Sequence, residues 1–292
     1  MPPWSSLVPL QPHGSKPPLF FVHGQRGEVF SFVELSRLLG PHQPCYGIQA
    51  VGLDGKCARH TTFEDMAAHY IKEIVSFQPD GPIYLAGYSL GGVLALEIAQ
   101  QLHRLGRRVA LLALLDSWPV GPIPWFFHAL AMVTVIPSRC LSDVRHLWEL
   151  PLRERFDYFR RRLPRVWIWL FEKNRSKPAL VTVAPPPDSQ PPELPGSIEY
   201  YHAVALAYRL RSYPGSVDLF TSDDAHGYGW YWRYLARDGV SFHRVPGQHH
   251  EILSEQNVPV LAKSLTAALL RKQADERPAL PADRQTQANL IL

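Results

Sequence analysis

Cysteine is scarce in this chain: Cys45, Cys57 and Cys140 are the three among 292 residues. An odd, widely spaced set argues against a disulfide framework and against the paired spacing of a zinc site. It fits a reduced, cytoplasmic setting. Blocks of one charge are also missing. The formal net charge is +4, with no long Lys/Arg run to track a phosphate backbone, so nucleic acid is not an expected partner. The longest apolar run, Ile123 to Ile136, contains His128 and falls short of a bilayer span, so no membrane partner is expected. The proline-rich stretch Met1 to Pro18 has no apolar core of the signal-peptide type. His23-Gly24-Gln25-Arg26-Gly27 lacks the Lys-Ser/Thr pair of a phosphate-binding loop, and no His/Cys cluster has ligand spacing. Neither a metal nor a bound cofactor is expected.

What is present is a rhythm of short apolar runs and amphipathic stretches, with 46% of residues hydrophobic. After a leader over 1–17, strands are expected at 19–22, 45–51, 82–88, 109–115, 216–221 and 240–245. Helices are expected at 30–39, 63–77, 90–104, 198–210, 228–236 and 256–271. The run Val109 to Leu115 is apolar throughout, as in a strand covered on both faces. Strand alternating with helix predicts an α/β fold: a mostly parallel central sheet flanked by helices. Residues 118–196 break the rhythm with five tryptophans, two helical-looking stretches and a proline-rich tract from Pro185 to Pro195. They read as a helical lid inserted into a core made of 1–117 and 197–273, with 274–292 a flexible tail.

The segment Gly87-Tyr88-Ser89-Leu90-Gly91-Gly92 lies between the apolar run Pro82 to Ala86 and the amphipathic stretch that begins at Val93. This is Gly-x-Ser-x-Gly in a strand–turn–helix context, a nucleophile elbow. The sharp turn lifts the Ser89 side chain clear of the sheet, and the helix after it directs free N–H groups at the same spot. Gly87 and Gly91 flank the turn because a Cβ at either place would crowd it.

A serine hydroxyl needs a base within hydrogen-bond reach, and the base needs an orienting carboxylate. His249 and His250, in Val245-Pro246-Gly247-Gln248-His249-His250-Glu251, follow the last strand and so reach the sheet edge that holds the elbow. Chemistry requires one imidazole, and either could supply it. His226 lies in an aromatic-rich loop and reads as packing or a helix cap, and His23 reads as a structural histidine of its loop. For the acid, Asp116 ends strand 109–115, while Asp223 and Asp224 follow the next strand, where most α/β-hydrolases carry it. Spacing does not choose. Burial at the tip of a continuous apolar run favours Asp116, and Asp223 and Asp224 read as a turn and helix cap. The two oxyanion donors expected are the backbone N–H groups of Leu90 and of Gln25, where Gly24 lets the loop turn tightly.

Taken together, Phe20-Phe21-Val22-His23-Gly24, the elbow, Leu114-Leu115-Asp116 and Pro246-Gly247-Gln248-His249 resemble the thioesterase domains of nonribosomal peptide synthetases and polyketide synthases. These have the α/β-hydrolase fold. The 27-residue step from Ser89 to Asp116 is similar to that family's, which supports Asp116 as acid, and its Gly-x-His turn selects His249 as base. The chain departs from the family at His23-Gly24, where many members carry His-Pro, and in a long lid rich in proline and arginine. The resemblance implies a serine-dependent thioesterase that releases an acyl or peptidyl chain, by hydrolysis or cyclisation, through an acyl-Ser89 intermediate. The chain would arrive as a thioester of phosphopantetheine on an acyl or peptidyl carrier protein, the expected partner. Arg153 to Arg165, rich in arginine, reads as a solvated helix face or a docking patch for an acidic partner. The elbow alone is shared with lipases and esterases. A general carboxylesterase, or a non-catalytic binding module on the same fold, is the alternative.

Overall fold

The structure, a computed structural model, describes residues 5–53, 60–120, 198–223 and 229–276. Among these, seven strands make one sheet: β1 (Leu7–Gln11), β2 (Leu19–Val22), β3 (Cys45–Ile48), β4 (Ile83–Tyr88), β5 (Val109–Leu115), β6 (Val217–Thr221) and β7 (Val240–Arg244). Their spatial order is β1-β3-β2-β4-β5-β6-β7, antiparallel between β1 and β3 and parallel elsewhere. The helices are α1 (Val33–Leu38), α2 (Phe63–Phe77), α3 (Leu90–Arg104), α4 (Ile198–Ala207), α5 (Gly229–Leu235) and α6 (Val258–Asp275).

The central strands are apolar along their whole length because both faces are covered. On one face Leu19, Phe21, Tyr84, Ala86, Leu111, Ala113 and Leu115 join Phe32 and Leu35 from the α1 region and Leu261, Leu265 and Leu269 of α6 in one buried cluster. The alternate residues Phe20, Val22, Leu85, Leu112 and Leu114 are also fully buried or nearly so. Helices α2 and α3 pack on each other, and α3 lies against β2, β4 and β5. Helix α2 forms because Phe63, Met66, Ala67, Tyr70, Ile71 and Ile74 recur on one face, and Thr62 caps it by accepting from the Asp65 N–H at 3.1 Å.

Parallel register aligns the strand ends that matter. Val22 lies opposite Gly87, Tyr88 opposite Leu115, Leu115 opposite Phe220 and Thr221 opposite Arg244. Residues 23, 89, 116 and 222 and the loop after 244 therefore leave the sheet along one edge. This is the carboxyl edge, where open α/β sheets hold their sites.

The expected leader contains a strand instead. β1 pairs antiparallel with β3, and Pro9 is tolerated there because an edge strand can spare one N–H. The helix expected at 198–210 stops at Ala207, since Tyr208 turns inward and donates to the buried carboxylate of Glu97 at 2.5 Å. Helix α6 runs on to Asp275, beyond the expected 271. Its polar end is held by Lys272 to Ser216 (2.9 Å), Gln273 to Gln43 (3.1 Å) and Glu276 to Arg108 (2.8 Å). Apart from 118–120, the expected lid lies outside the described residues, as do Asp224, His226 and the tail from 277.

Candidate active site

Ser89 occupies the turn between β4 and α3 with φ 55° and ψ −121°. Among the described residues, Ser89 and Asp116 (φ 49°) are the two non-glycine residues with positive φ. Such a conformation costs on the order of 1–3 kcal/mol and persists only where the surroundings impose it. At Ser89 they do: its N–H donates to Leu115 O at 2.9 Å and its carbonyl accepts from Gly92 N–H at 3.1 Å. The flanking glycines are steric necessities. A Cβ on Gly87 would strike the Gly91 backbone, one on Gly91 the carbonyls of Val22 and His23, and one on Gly92 the Ser117 hydroxyl.

Asp116 sits where β5 ends, fully buried, with its N–H donating to Phe220 O at 2.7 Å. Oδ1 accepts the Ser222 N–H at 2.7 Å, and Oδ2 accepts the Ser222 hydroxyl at 2.8 Å and His249 Nδ1 at 2.6 Å. A carboxylate can only accept from an imidazole N–H, so Nδ1 carries the proton and Nε2 is the free acceptor. Nε2 lies 3.0 Å from Ser89 Oγ. Three side chains from three distant parts of the sequence thus form one hydrogen-bonded line, along which a hydroxyl proton can pass to imidazole.

The histidine arrives on a turn with no buried residue of its own. Local bonds shape that turn. The Gln248 N–H donates to Glu251 Oε2 at 2.8 Å within a capping box, and Gly247 (φ 91°) has no room for a Cβ beside Asn257 and Glu251. Asp223 braces the turn, accepting the Gly247 N–H at 3.1 Å while its own N–H donates to Gly247 O at 2.8 Å. Its carboxylate also pairs with Arg244 at 2.8 Å. Asp223 thus ties two loops together. His250 is exposed.

The two expected oxyanion donors sit as follows. Leu90 opens α3, so its N–H is one that no intrahelical carbonyl can take. Gln25 lies in a turn closed by the Gly27 N–H on Gly24 O at 3.0 Å, which leaves the Gln25 N–H outside the closing bond. His23 anchors that loop from inside. Its side chain is buried, Nδ1–H donates to Gly24 O at 2.8 Å, and Nε2 accepts from the Tyr70 hydroxyl at 2.9 Å. Burial lowers its pKa to about 4, against the opposing effect of the Gly24 bond, so the ring stays neutral. Burial on α2 keeps the Tyr70 phenol protonated.

Sequence reasoning missed Ser222, the brace at Asp223 and the Tyr70 partner of His23. A serine after a strand and a tyrosine on a buried helix face carry no local signal of what they will touch. The β5–β6 register would reveal Ser222, but register is a property of the folded sheet. Among the described residues no group of three His, Cys, Asp or Glu side chains could hold a metal ion. The buried Cys45 thiol has its pKa pushed up to about 12 by desolvation, which leaves it unreactive.

Comparison with known proteins gives part of the site relatives. Residues 17–131 match the family model described as "Thioesterase domain". A dimodular nonribosomal peptide synthase of Bacillus subtilis is 43% identical over 118 residues, which is 40% of this chain and 5% of that protein. An atromentin synthetase of Tapinella panuoides is 27% identical over 284 residues, covering 89% of this chain and 28% of that one. The chain spans less than a third of the length of either relative. Among solved structures, the NocB thioesterase domain from the nocardicin cluster aligns with TM-score 0.59 at 22% identity, over 90% of this chain and 98% of that one. That likeness establishes the α/β-hydrolase fold. The elbow and Asp116 both fall inside the segment that matches the thioesterase-domain model, and part of the chain is similar to nonribosomal peptide synthetases.

Proposed function

We propose that this chain releases an acyl or peptidyl chain from a carrier-bound phosphopantetheine thioester through an ester on Ser89. The observation that carries the reading is the line Asp116–His249–Ser89, with steps of 2.6 and 3.0 Å, beginning at a strained serine. His249 Nε2 takes the Ser89 proton as Oγ attacks the thioester carbon. The N–H groups of Leu90 and Gln25 hold the resulting oxyanion. Collapse breaks the C–S bond, and the departing sulfur takes the proton from His249. Water, or an amine or hydroxyl of the same chain, then gives its proton to His249 and attacks the ester. The second collapse returns the proton to Ser89 and frees an acid or a ring. Asp116 keeps the Nδ1 tautomer and steadies the imidazolium formed twice in each cycle.

The family match supports the thioester as the bond attacked, and the synthetase relatives support a carrier domain as the partner. The test is covalent trapping with a fluorophosphonate, mass-spectrometric mapping of the label, and turnover of an acyl-pantetheine thioester by the wild type and by Ser89→Ala. Label on Ser89, with turnover falling on the order of 10⁶-fold in the variant, is expected. Undiminished thioester cleavage by Ser89→Ala refutes the assignment.

A further inference from the structure

Two aromatic rings lie against the His249 ring. That of Tyr88 is stacked at 5.1 Å between centroids with 19° between planes. A second ring, that of Trp118, lies 4.8 Å from the imidazole at 39°. The Tyr88 hydroxyl also donates to the carbonyl of His249 at 2.8 Å, bridging 161 positions of sequence. Tyr88 immediately precedes the serine, and Trp118 lies two residues after the acid. Each neighbour of the histidine thus comes from the same loop as one of its hydrogen-bond partners.

We infer that Tyr88 and Trp118 are positioning residues for His249, fixing the plane of its ring so that Nε2 faces the serine. The inference rests on the function proposed above, and the physical need for it is plain. The histidine turn has no buried residue, and its side chain is still 25% exposed. The Asp116 bond fixes where Nδ1 points, but the ring can still swing about that bond and carry Nε2 away from Ser89. Two aromatic faces oppose the swing. The bond from Tyr88 to the His249 carbonyl anchors the backbone from which the ring hangs. The stacked Tyr88 face also favours the cation formed when the imidazole takes the proton, since it presents a negative quadrupole to it. A residue that positions the base changes the rate of the step and leaves binding alone.

The experiment is labelling of Ser89 by a fluorophosphonate, resolved into the maximal rate kinact and the half-saturating concentration KI, for wild type, Tyr88→Phe, Tyr88→Leu and Trp118→Leu. Tyr88→Phe removes the hydroxyl and keeps the stack, so kinact falls about tenfold, the worth of one hydrogen bond. Tyr88→Leu removes both and falls on the order of a hundredfold, while Trp118→Leu falls a few-fold, the worth of one aromatic face. KI stays at the wild-type value throughout. A roughly tenfold higher kinact for Phe than for Leu separates ring positioning from mere filling of space. If Tyr88→Leu does not fold, Tyr88→Phe, which differs by one oxygen, decides alone. Wild-type kinact in Tyr88→Phe and Trp118→Leu overturns the inference, as does a change confined to KI. Failure of the wild type to label at Ser89 overturns the proposed function instead.

Discussion

Ser222 holds Asp116 through both carboxylate oxygens, its N–H on Oδ1 at 2.7 Å and its hydroxyl on Oδ2 at 2.8 Å. The second of those oxygens is the one that His249 uses. Ser222 thus sets the rotation of the carboxylate, and with it the direction in which the imidazole N–H is pulled. Ser222→Ala keeps the backbone bond and removes the hydroxyl. Loss of one hydrogen bond to a charged group is worth about 1.5–3 kcal/mol. Turnover is expected to fall at least tenfold, with a lowered melting temperature. Steady-state kinetics beside a thermal melt check it, and unchanged kcat would show that the His249 bond alone orients the acid.

The choice between the two candidate acids becomes a comparison of two isosteric changes. Asp116→Asn replaces an acceptor oxygen facing an imidazole N–H and is expected to cost on the order of 10⁴ in kcat. Asp223→Asn leaves an oxygen to accept the Gly247 N–H and weakens an exposed ion pair with Arg244, so the expected loss is about twofold or less. Thioester turnover by the two purified variants decides. A larger loss at 223 would move the acid to the later strand.

Much of this was legible from single segments. β4, β5, α2 and α3 start and stop within one residue of the expected limits, because continuous apolar runs and 3.6-residue periodicity are local signals. β1 was not legible. Its residues are half exposed, it contains Pro9, and it becomes a strand only by pairing with β3. The site divides the same way. Ser89 and the glycines around it announce themselves because a strained turn restricts which residues can stand there. The preference for Asp116 over Asp223 came from burial at a strand tip, a fold-level inference. Ser222, Tyr88 and Trp118 act through contacts spanning 106, 161 and 131 positions, set by sheet register and by where one loop meets another.

The elbow's glycines allow a test that opposes helix propensity to packing. Alanine at position 91 should favour α3 by about 1 kcal/mol on propensity alone. Its Cβ, however, would fall 2.6 Å from Val22 O and still closer to His23 O, both fixed backbone at the end of β2. Overpacking of this kind costs about 1–3 kcal/mol. Relief requires displacing the loop that carries Gln25. Gly91→Ala is therefore expected to melt lower than wild type and to lose more activity than its stability loss explains. Thermal melts with thioester kinetics measure both, and a higher melting temperature with full activity would show that the loop yields freely.

His23 gives a prediction in pH. Its pKa falls from the ordinary 6.5 to about 4 in the folded chain, chiefly through burial, with the Tyr70 hydroxyl donating to its Nε2 and Tyr201 beside the ring. Between those values the unfolded chain binds more protons than the folded one, so stability falls as pH falls through the window and levels off below it. The contribution is about 2 kcal/mol between about pH 7 and pH 5, within a total of about 3 kcal/mol. His23→Gln removes the titrating group. Urea unfolding of both proteins at the two pH values should show a difference in free energy smaller by about that amount in the variant, whatever its absolute stability. Parallel pH dependences in the two proteins would mean that His23 accepts a proton in the folded state as readily as in the unfolded one, and would overturn the prediction.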